Sequence, residues 1–133
     1  TRWANTNAIT GAGDASNGLV NMQTIYTLTN NFTNYPAFAW VHSLNSISED
    51  YQNPNAVGVW YLPAKDELLM LYNAKSAVNG KLSTFSGSNS LSEYWYWTST
   101  EVSSLANSIH FENGGTWIDT KINSYCVRAV LTF

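Results

Sequence analysis

Charge is what this sequence has least of. Lys, Arg, Asp and Glu make up 11% of its 133 residues, against about 25% in an ordinary soluble domain. The six basic residues, Arg2, Lys65, Lys75, Lys81, Lys121 and Arg128, are scattered singly, and the net charge is −3. With no basic stripe to neutralise a phosphate backbone, nucleic acid is excluded as an expected partner. Cysteine is almost missing too: Cys126 stands alone, so no internal disulfide can form, and the redox compartment is left open. Long apolar runs are absent. The stretch Val57-Gly58-Val59-Trp60-Tyr61-Leu62 is far short of the roughly 20 residues a membrane helix requires, and direct membrane insertion is not expected. The sequence opens at Thr1 with neither Met nor a signal peptide. It is therefore expected to be the C-terminal domain of a longer protein, with upstream domains among its partners.

Polarity comes instead from Asn, Ser and Thr, which together account for 44 of the 133 residues. Aromatics make up 14%, including 6 Trp and 8 Tyr, a content that disordered chains lack. A chain of this length can bury about two thirds of its unfolded surface, so residues 1–133 are expected to form one domain, with 1–16 peripheral and Trp3 as their anchor.

Apolar spacing at Leu19, Met22, Ile25, Tyr26, Leu28 and Phe32 predicts a helix over about 17–30, with Asp14 or Ser16 as N-cap. Pro36 suits a first helical turn, and Ala37, Trp40, Val41 and Leu44 form one stripe behind it. Residues 45–56 read as a surface loop. Residues 57–62 read as a central strand ended by Pro63. A third helix should start with Asp66 and Glu67, bury Leu68, Leu71, Tyr72 and Val78, and end at Gly80. After a Ser- and Gly-rich loop at 81–93, strands are expected at 94–98, 108–111 and 116–120, the last two joined by an Asn113-Gly114 turn. A terminal strand at 126–133 should place Val127, Ala129, Leu131 and Phe133 on one face. Helices first and hairpins last is an α+β order.

Three blocks stand out: Trp60-Tyr61-Leu62-Pro63-Ala64-Lys65-Asp66-Glu67-Leu68, Tyr96-Trp97-Thr98-Ser99-Thr100-Glu101 and Tyr125-Cys126-Val127-Arg128-Ala129-Val130. Together they resemble the domain family DUF1566, or Lcl C-terminal-like, found in bacterial surface proteins and especially in gut Bacteroidales. Ala106, Phe111, Gly114 and Lys121 also fall where that family's pattern has Ala, Phe, Gly and Lys. The resemblance covers about residues 17–133. It implies a C-type-lectin-like fold, with two to three helices packed on a small twisted antiparallel sheet and a loop-rich binding face. That branch is shared with formylglycine-generating enzymes and with the variable proteins of diversity-generating retroelements. It also implies a bacterial extracellular, cell-surface or phage-tail location.

Catalytic groups are scarce. His42 and His110 have no Cys, Ser or carboxylate motif beside them. The cysteine and copper chemistry of the formylglycine-generating relatives does not carry over, because Cys126 lies in a terminal strand block as a partly buried thiol. Asp66 and Glu67 are expected to serve the helix N-terminus. Neither the Glu-Pro-Asn nor the Gln-Pro-Asp calcium motif of lectin relatives is present; Glu49, Asp50, Asn53 and Asn55 are only a loose echo, read as a solvated turn. Asn31-Phe32-Thr33 is one glycosylation sequon, read as coincidental. No metal, cofactor or enzymatic activity is expected. The expected function is recognition of a protein or glycan ligand, with an assembly module of a pilus or surface fibre as the alternative. The contacts are expected from Ser103, Ser104, Asn107, Ser108, His110, Glu112, Asn113, Thr116, Trp117, Asp119 and Asn123, interspersed with core residues Ala106, Ile109, Phe111 and Ile118. This polar, aromatic mixture resembles a paratope, and in retroelement-diversified relatives the varied positions lie in the same stretch. Trp97 is expected in the core. Alternation should point Ser108, His110 and Glu112 outward, with Trp117 as anchor; Trp95 and Tyr94 are the fallback.

Overall fold

Asn17 starts the first helix: its Oδ1 accepts the Val20 amide at 3.2 Å, capping α1 (Gly18–Thr29). Asp14 is not the cap. Its Oδ1 instead closes a turn on the amides of Ser16 and Asn17 at 2.8 and 2.9 Å. In this computed structural model, which describes residues 1–29, 32–45, 51, 53 and 55–133, three further helices follow: α2 (Pro36–His42), α3 (Lys65–Asn73) and α4 (Lys75–Leu82). Pro36 opens α2 as expected, but Ala37, Phe38 and Val41 are its buried residues, while Trp40 and Leu44 are exposed. The stripe is rotated because Phe38 packs edge-on against Trp3, with ring centroids 4.8 Å apart. The single helix expected after Pro63 is two, broken at Ala74 (φ −91°, ψ 4°), and Gly80 lies inside α4 rather than ending it.

The strands form two antiparallel sheets. One is minimal: β1 (Trp60–Tyr61) pairs with β5 (Val130–Leu131). The central strand expected over 57–62 is thus two residues long. Val57 is exposed and Gly58 has φ +79°, a left-handed turn that cannot continue a ladder. Likewise Leu131 and Phe133 are exposed, so the terminal segment buries Ala129 but does not form one apolar face. The other sheet is a meander of β2 (Trp95–Val102), β3 (Leu105–His110) and β4 (Thr116–Thr120). Four helices packed against two small antiparallel sheets make this an α+β domain, with one helix and one sheet more than the resemblance implies.

Both faces of the β2–β3 ladder are covered. Trp97 and Ala106 join Trp3, Leu19, Met22, Ile25, Phe38 and Val41 in one core. Tyr96, Ile109 and Phe111 join Leu68 and Leu91 in a second. Trp97 and Phe111 are fully buried, as expected. Double coverage explains why alternation misjudged β3: Ser108 is fully buried and Asn107 nearly so.

The recurring blocks serve this scaffold. Glu67 Oε2 accepts the amides of Ala64 at 2.8 Å and Gly18 at 2.9 Å, and its Oε1 accepts the Tyr61 hydroxyl at 2.9 Å. Glu67 therefore caps α3 and ties it to α1 and β1. A Cβ on Gly18 would lie 2.3 Å from the Leu62 carbonyl oxygen, so the close approach of α1 to this turn requires glycine. In β2 the register shifts between Trp97 and Glu101, and the residues of this bulge turn into a buried polar hub. The Ser99 amide donates to the Pro63 carbonyl at 2.8 Å. Thr100 Oγ1 donates to the Asp14 carbonyl and accepts the Lys65 amide, both at 2.9 Å. Asn21 Nδ2 donates to Ser99 Oγ at 3.0 Å.

Candidate functional site

The registers place Trp95 opposite His110, Trp97 and Trp117 on either side of Ser108, and Asp119 opposite Ala106. Since side chains alternate along a strand, these residues share one sheet face. Trp97 and Ala106 belong to the covered part of that face. Toward the β3–β4 turn the cover thins. There the His110 ring lies 4.7 Å from that of Trp95, with Nδ1 3.8 Å from Glu112 Oε2. Tyr125 completes the cluster, its ring 4.5 Å from Trp97 and 6.1 Å from Trp95. The Tyr125 hydroxyl donates to Asp119 Oδ2, and Asn123 Nδ2 donates to Asp119 Oδ1 at 3.0 Å.

Beside this cluster opens a cleft of about 500 Å3, lined by Trp40, Tyr94, Trp95, Ser124, Tyr125 and Val127, with Thr1 and Cys126 completing it. Its walls follow from local pairing. The Trp97 amide donates to the Cys126 carbonyl at 3.0 Å and the Cys126 amide to the Trp95 carbonyl at 2.9 Å, laying the third sequence block alongside β2. The Phe111 amide donates to the Tyr94 carbonyl at 3.0 Å. Trp40 reaches the cleft because α2 spends Phe38 and Val41 on the core. A shallower cleft of about 400 Å3 lies at the β4 edge between Lys65, Asn107, Thr116, Trp117 and Ile118.

The expected contact residues divide accordingly. His110, Trp117, Asp119 and Asn123 belong to the aromatic face, and Trp117 is 63% exposed. Trp117 lies opposite Ser108 and so diagonal to His110. Ser108 faces this side but is wholly buried, with its Oγ lacking a partner, which removes it as an outward contact. Asn107 and Thr116 line the second cleft. Ile118, expected in the core, is exposed at the sheet edge, because β4 has no further strand or helix over it. Glu112 and Asn113 occupy the near turn, where Asn113 Oδ1 accepts the Gly115 amide at 2.8 Å. Ser103 (φ +56°) and Ser104 form the β2–β3 turn at the opposite end of the hairpin. They lie about 20 Å from His110 at 3.3 Å per residue, too far to share its ligand surface.

Sequence reasoning missed Trp40, Ser124 and Tyr125 as lining residues. The one available signal was the i+3 spacing that assigned Trp40 to a buried stripe. Of the other candidates, His42 Nδ1 lies 2.9 Å from the Tyr51 hydroxyl, and its ring packs 5.0 Å from Phe32. Cys126 is half-buried, its Sγ 3.8 Å from Ser92 Oγ. Glu49, Asp50 and Asn31, from the calcium echo and the sequon, lie outside the described residues. Among the described residues no group of three or more His, Cys, Asp or Glu could hold a metal ion, and no helix is long and apolar enough to cross a membrane.

Asp119 is held below the usual carboxylate range. The Tyr125 hydroxyl is the main cause, with the Thr120 amide and the Asn123 side chain adding to it and burial opposing them. Burial, reinforced by the same carboxylate, pushes the Tyr125 phenol up. A lowered folded-state pKa contributes stability above the unfolded value that is lost as pH falls through the lowered one. Asp14, lowered chiefly by the Ser16 amide, acts with the same sign. Asp119→Asn should therefore flatten the acid limb of a plot of melting temperature against pH below about pH 4. An acid limb identical to that of the unaltered protein would refute the role of this carboxylate.

No protein-family model, curated protein or solved structure matches the chain.

Proposed function

We propose that this domain is a non-enzymatic recognition module, binding a protein or glycan presented on another cell or surface through the face that carries Trp95, His110, Trp117 and Tyr125. The observation that carries the reading is the exposure of large aromatics around one half-buried cluster: Trp117 at 63%, Tyr94 at 71% and Trp40 at 47%. Exposed aromatics rimmed by amides and hydroxyls are the composition of binding hot spots, which supply contact area at low entropic cost. The backing is rigid, since Trp97 and Ala106 are fully buried behind this face. Both histidines pack against aromatic rings, which supports a non-catalytic role.

The proposal extends to fold type and setting. Each of the resembled blocks supplies scaffold contacts, Glu67 at the α3 cap, Ser99 and Thr100 in the hub, and Cys126 beside β2. That supports a C-type-lectin-like domain of the DUF1566 type at a bacterial surface or phage tail, with the segment between the second and third blocks as its variable part. A reverse transcriptase and a near-identical template repeat beside the gene would mark it as a retroelement-diversified member.

The test is binding of the labelled domain to intact cells. His110→Ala with Trp117→Ala should weaken saturable binding at least tenfold, as expected for hot spots of about 2 kcal/mol, while the melting temperature moves by a few degrees at most. Unchanged binding would overturn the assignment of this face. Self-association without cell binding would favour the assembly module, to which exposed Ile118 on the β4 edge would then belong.

A further inference from the structure

We infer that the cleft between Trp40, Tyr94, Trp95 and Tyr125 is a stacking subsite for an uncharged pyranose ring, bound without a metal ion. This rests on the recognition reading above and narrows its ligand class. At about 500 Å3 the cleft falls within the roughly 300–1,000 Å3 of small-molecule sites. Its walls are ring faces: Trp95 and Tyr125 are inclined to one another by only 30°, and Tyr94 and Trp40 stand exposed at its mouth.

Charge complementarity selects the occupant. The lining carries no Lys, Arg, His, Asp or Glu side chain. Around its margin carboxylates predominate: Asp119 on the Tyr125 hydroxyl, Glu112 beside His110, and Glu93 next to Tyr94. Against them stands Arg2, paired with Ser124 through its backbone. Lys75 is committed to Glu93 at 3.7 Å and to the Phe111 carbonyl. Sulfated, phosphorylated or sialylated ligands would thus meet net repulsion.

Hydrogen-bonding capacity separates a neutral ligand from a cation. Trp40 Nε1, Trp95 Nε1 and the Tyr94 hydroxyl have no partner among the described residues. An indole N–H can only donate, so these groups match a ligand rich in acceptor oxygens, which an ammonium group lacks. A pyranose combines an apolar C–H face with acceptor hydroxyl and ring oxygens. It satisfies the ring faces and the free donors together.

The experiment is an array of neutral, sialylated and sulfated oligosaccharides probed with the purified domain in chelator. Fluorescence titration with the free form of the neutral glycan that binds gives its affinity. Saturable binding to neutral glycans is expected, with at least tenfold loss in Tyr94→Ala and in Trp95→Ala and no loss in Phe85→Ala, an exposed residue outside the cleft. Trp95 packs on His110 and Tyr125, so Tyr94→Ala keeps the test valid if Trp95→Ala unfolds. Binding confined to anionic glycans, or neutral binding untouched by Tyr94→Ala, would overturn the inference. A blank array with cell binding retained would overturn it while leaving the recognition reading intact. A blank array with no cell binding would remove both.

Discussion

Lys121→Met is expected to lower the melting temperature by about 10–20 °C, the equivalent of roughly 3–5 kcal/mol in a domain of this size. Lys121 is fully buried. Its ammonium donates to Glu101 Oε1 and to the Ala8 carbonyl at 2.7 Å, and lies 4.6 Å from the Trp3 ring centroid. Glu101 in turn accepts the Thr10 and Gly11 amides at 2.7 Å and the Thr10 hydroxyl at 3.0 Å. Removing the ammonium strands a carboxylate away from water, and that penalty exceeds the net worth of the intact pair. Adding Glu101→Gln to Lys121→Met should therefore recover part of the loss. A double variant no more stable than Lys121→Met, or a single variant within about 3 °C of the original, would show that the pair is not sealed from solvent.

Phe111→Ala is expected to cost about 3–5 kcal/mol, the range for emptying an aromatic site in a packed core. The ring lies 4.5 Å from Tyr96 and 5.6 Å from Tyr72, and it belongs to the smaller of the two cores, where few neighbours can close a void. Phe111→Leu should lose much less, since it retains most of the buried volume. A denaturant midpoint unmoved by Phe111→Ala would contradict the burial of that position. The same change should disturb the cleft, because the Phe111 amide holds the Tyr94 carbonyl.

Local signals were legible wherever one residue's chemistry dominated. Pro36 opened α2, Asn113-Gly114 formed a turn with Gly114 at φ +74°, and β4 spans the expected Thr116–Thr120. What sequence could not show was which faces acquire a second cover. Ser108 alternates with apolar neighbours as a surface residue would, yet both sides of its ladder are packed. Thr98, Ser99 and Thr100 read as an ordinary polar strand end, and their burial depends on partners as distant as Asp14 and Pro63. Trp40 shows the converse error: helical spacing predicts a stripe, but the angle at which α2 meets Trp3 decides which residues fill it. The aromatic face was half legible, through Trp117 and His110, whereas Tyr125 joins it only because the third block folds back along β2.

The first fifteen residues are threaded through the domain, and this has a consequence for biosynthesis. Trp3 donates its indole N–H to the Thr98 carbonyl at 2.8 Å, the Trp3 amide donates to the Lys121 carbonyl, and Arg2 pairs with Ser124. Every partner is translated roughly a hundred residues later, a delay of about 5–25 s at ribosomal speeds of about 5–20 residues per second. Meanwhile Trp3 and Ile9 remain uncovered, and the high contact order of their eventual pairings slows closure further. Stalled or truncated nascent chains ending before residue 121 would leave Glu101 without its counter-charge and Trp3 without its cover, making them substrates for chaperones or proteases.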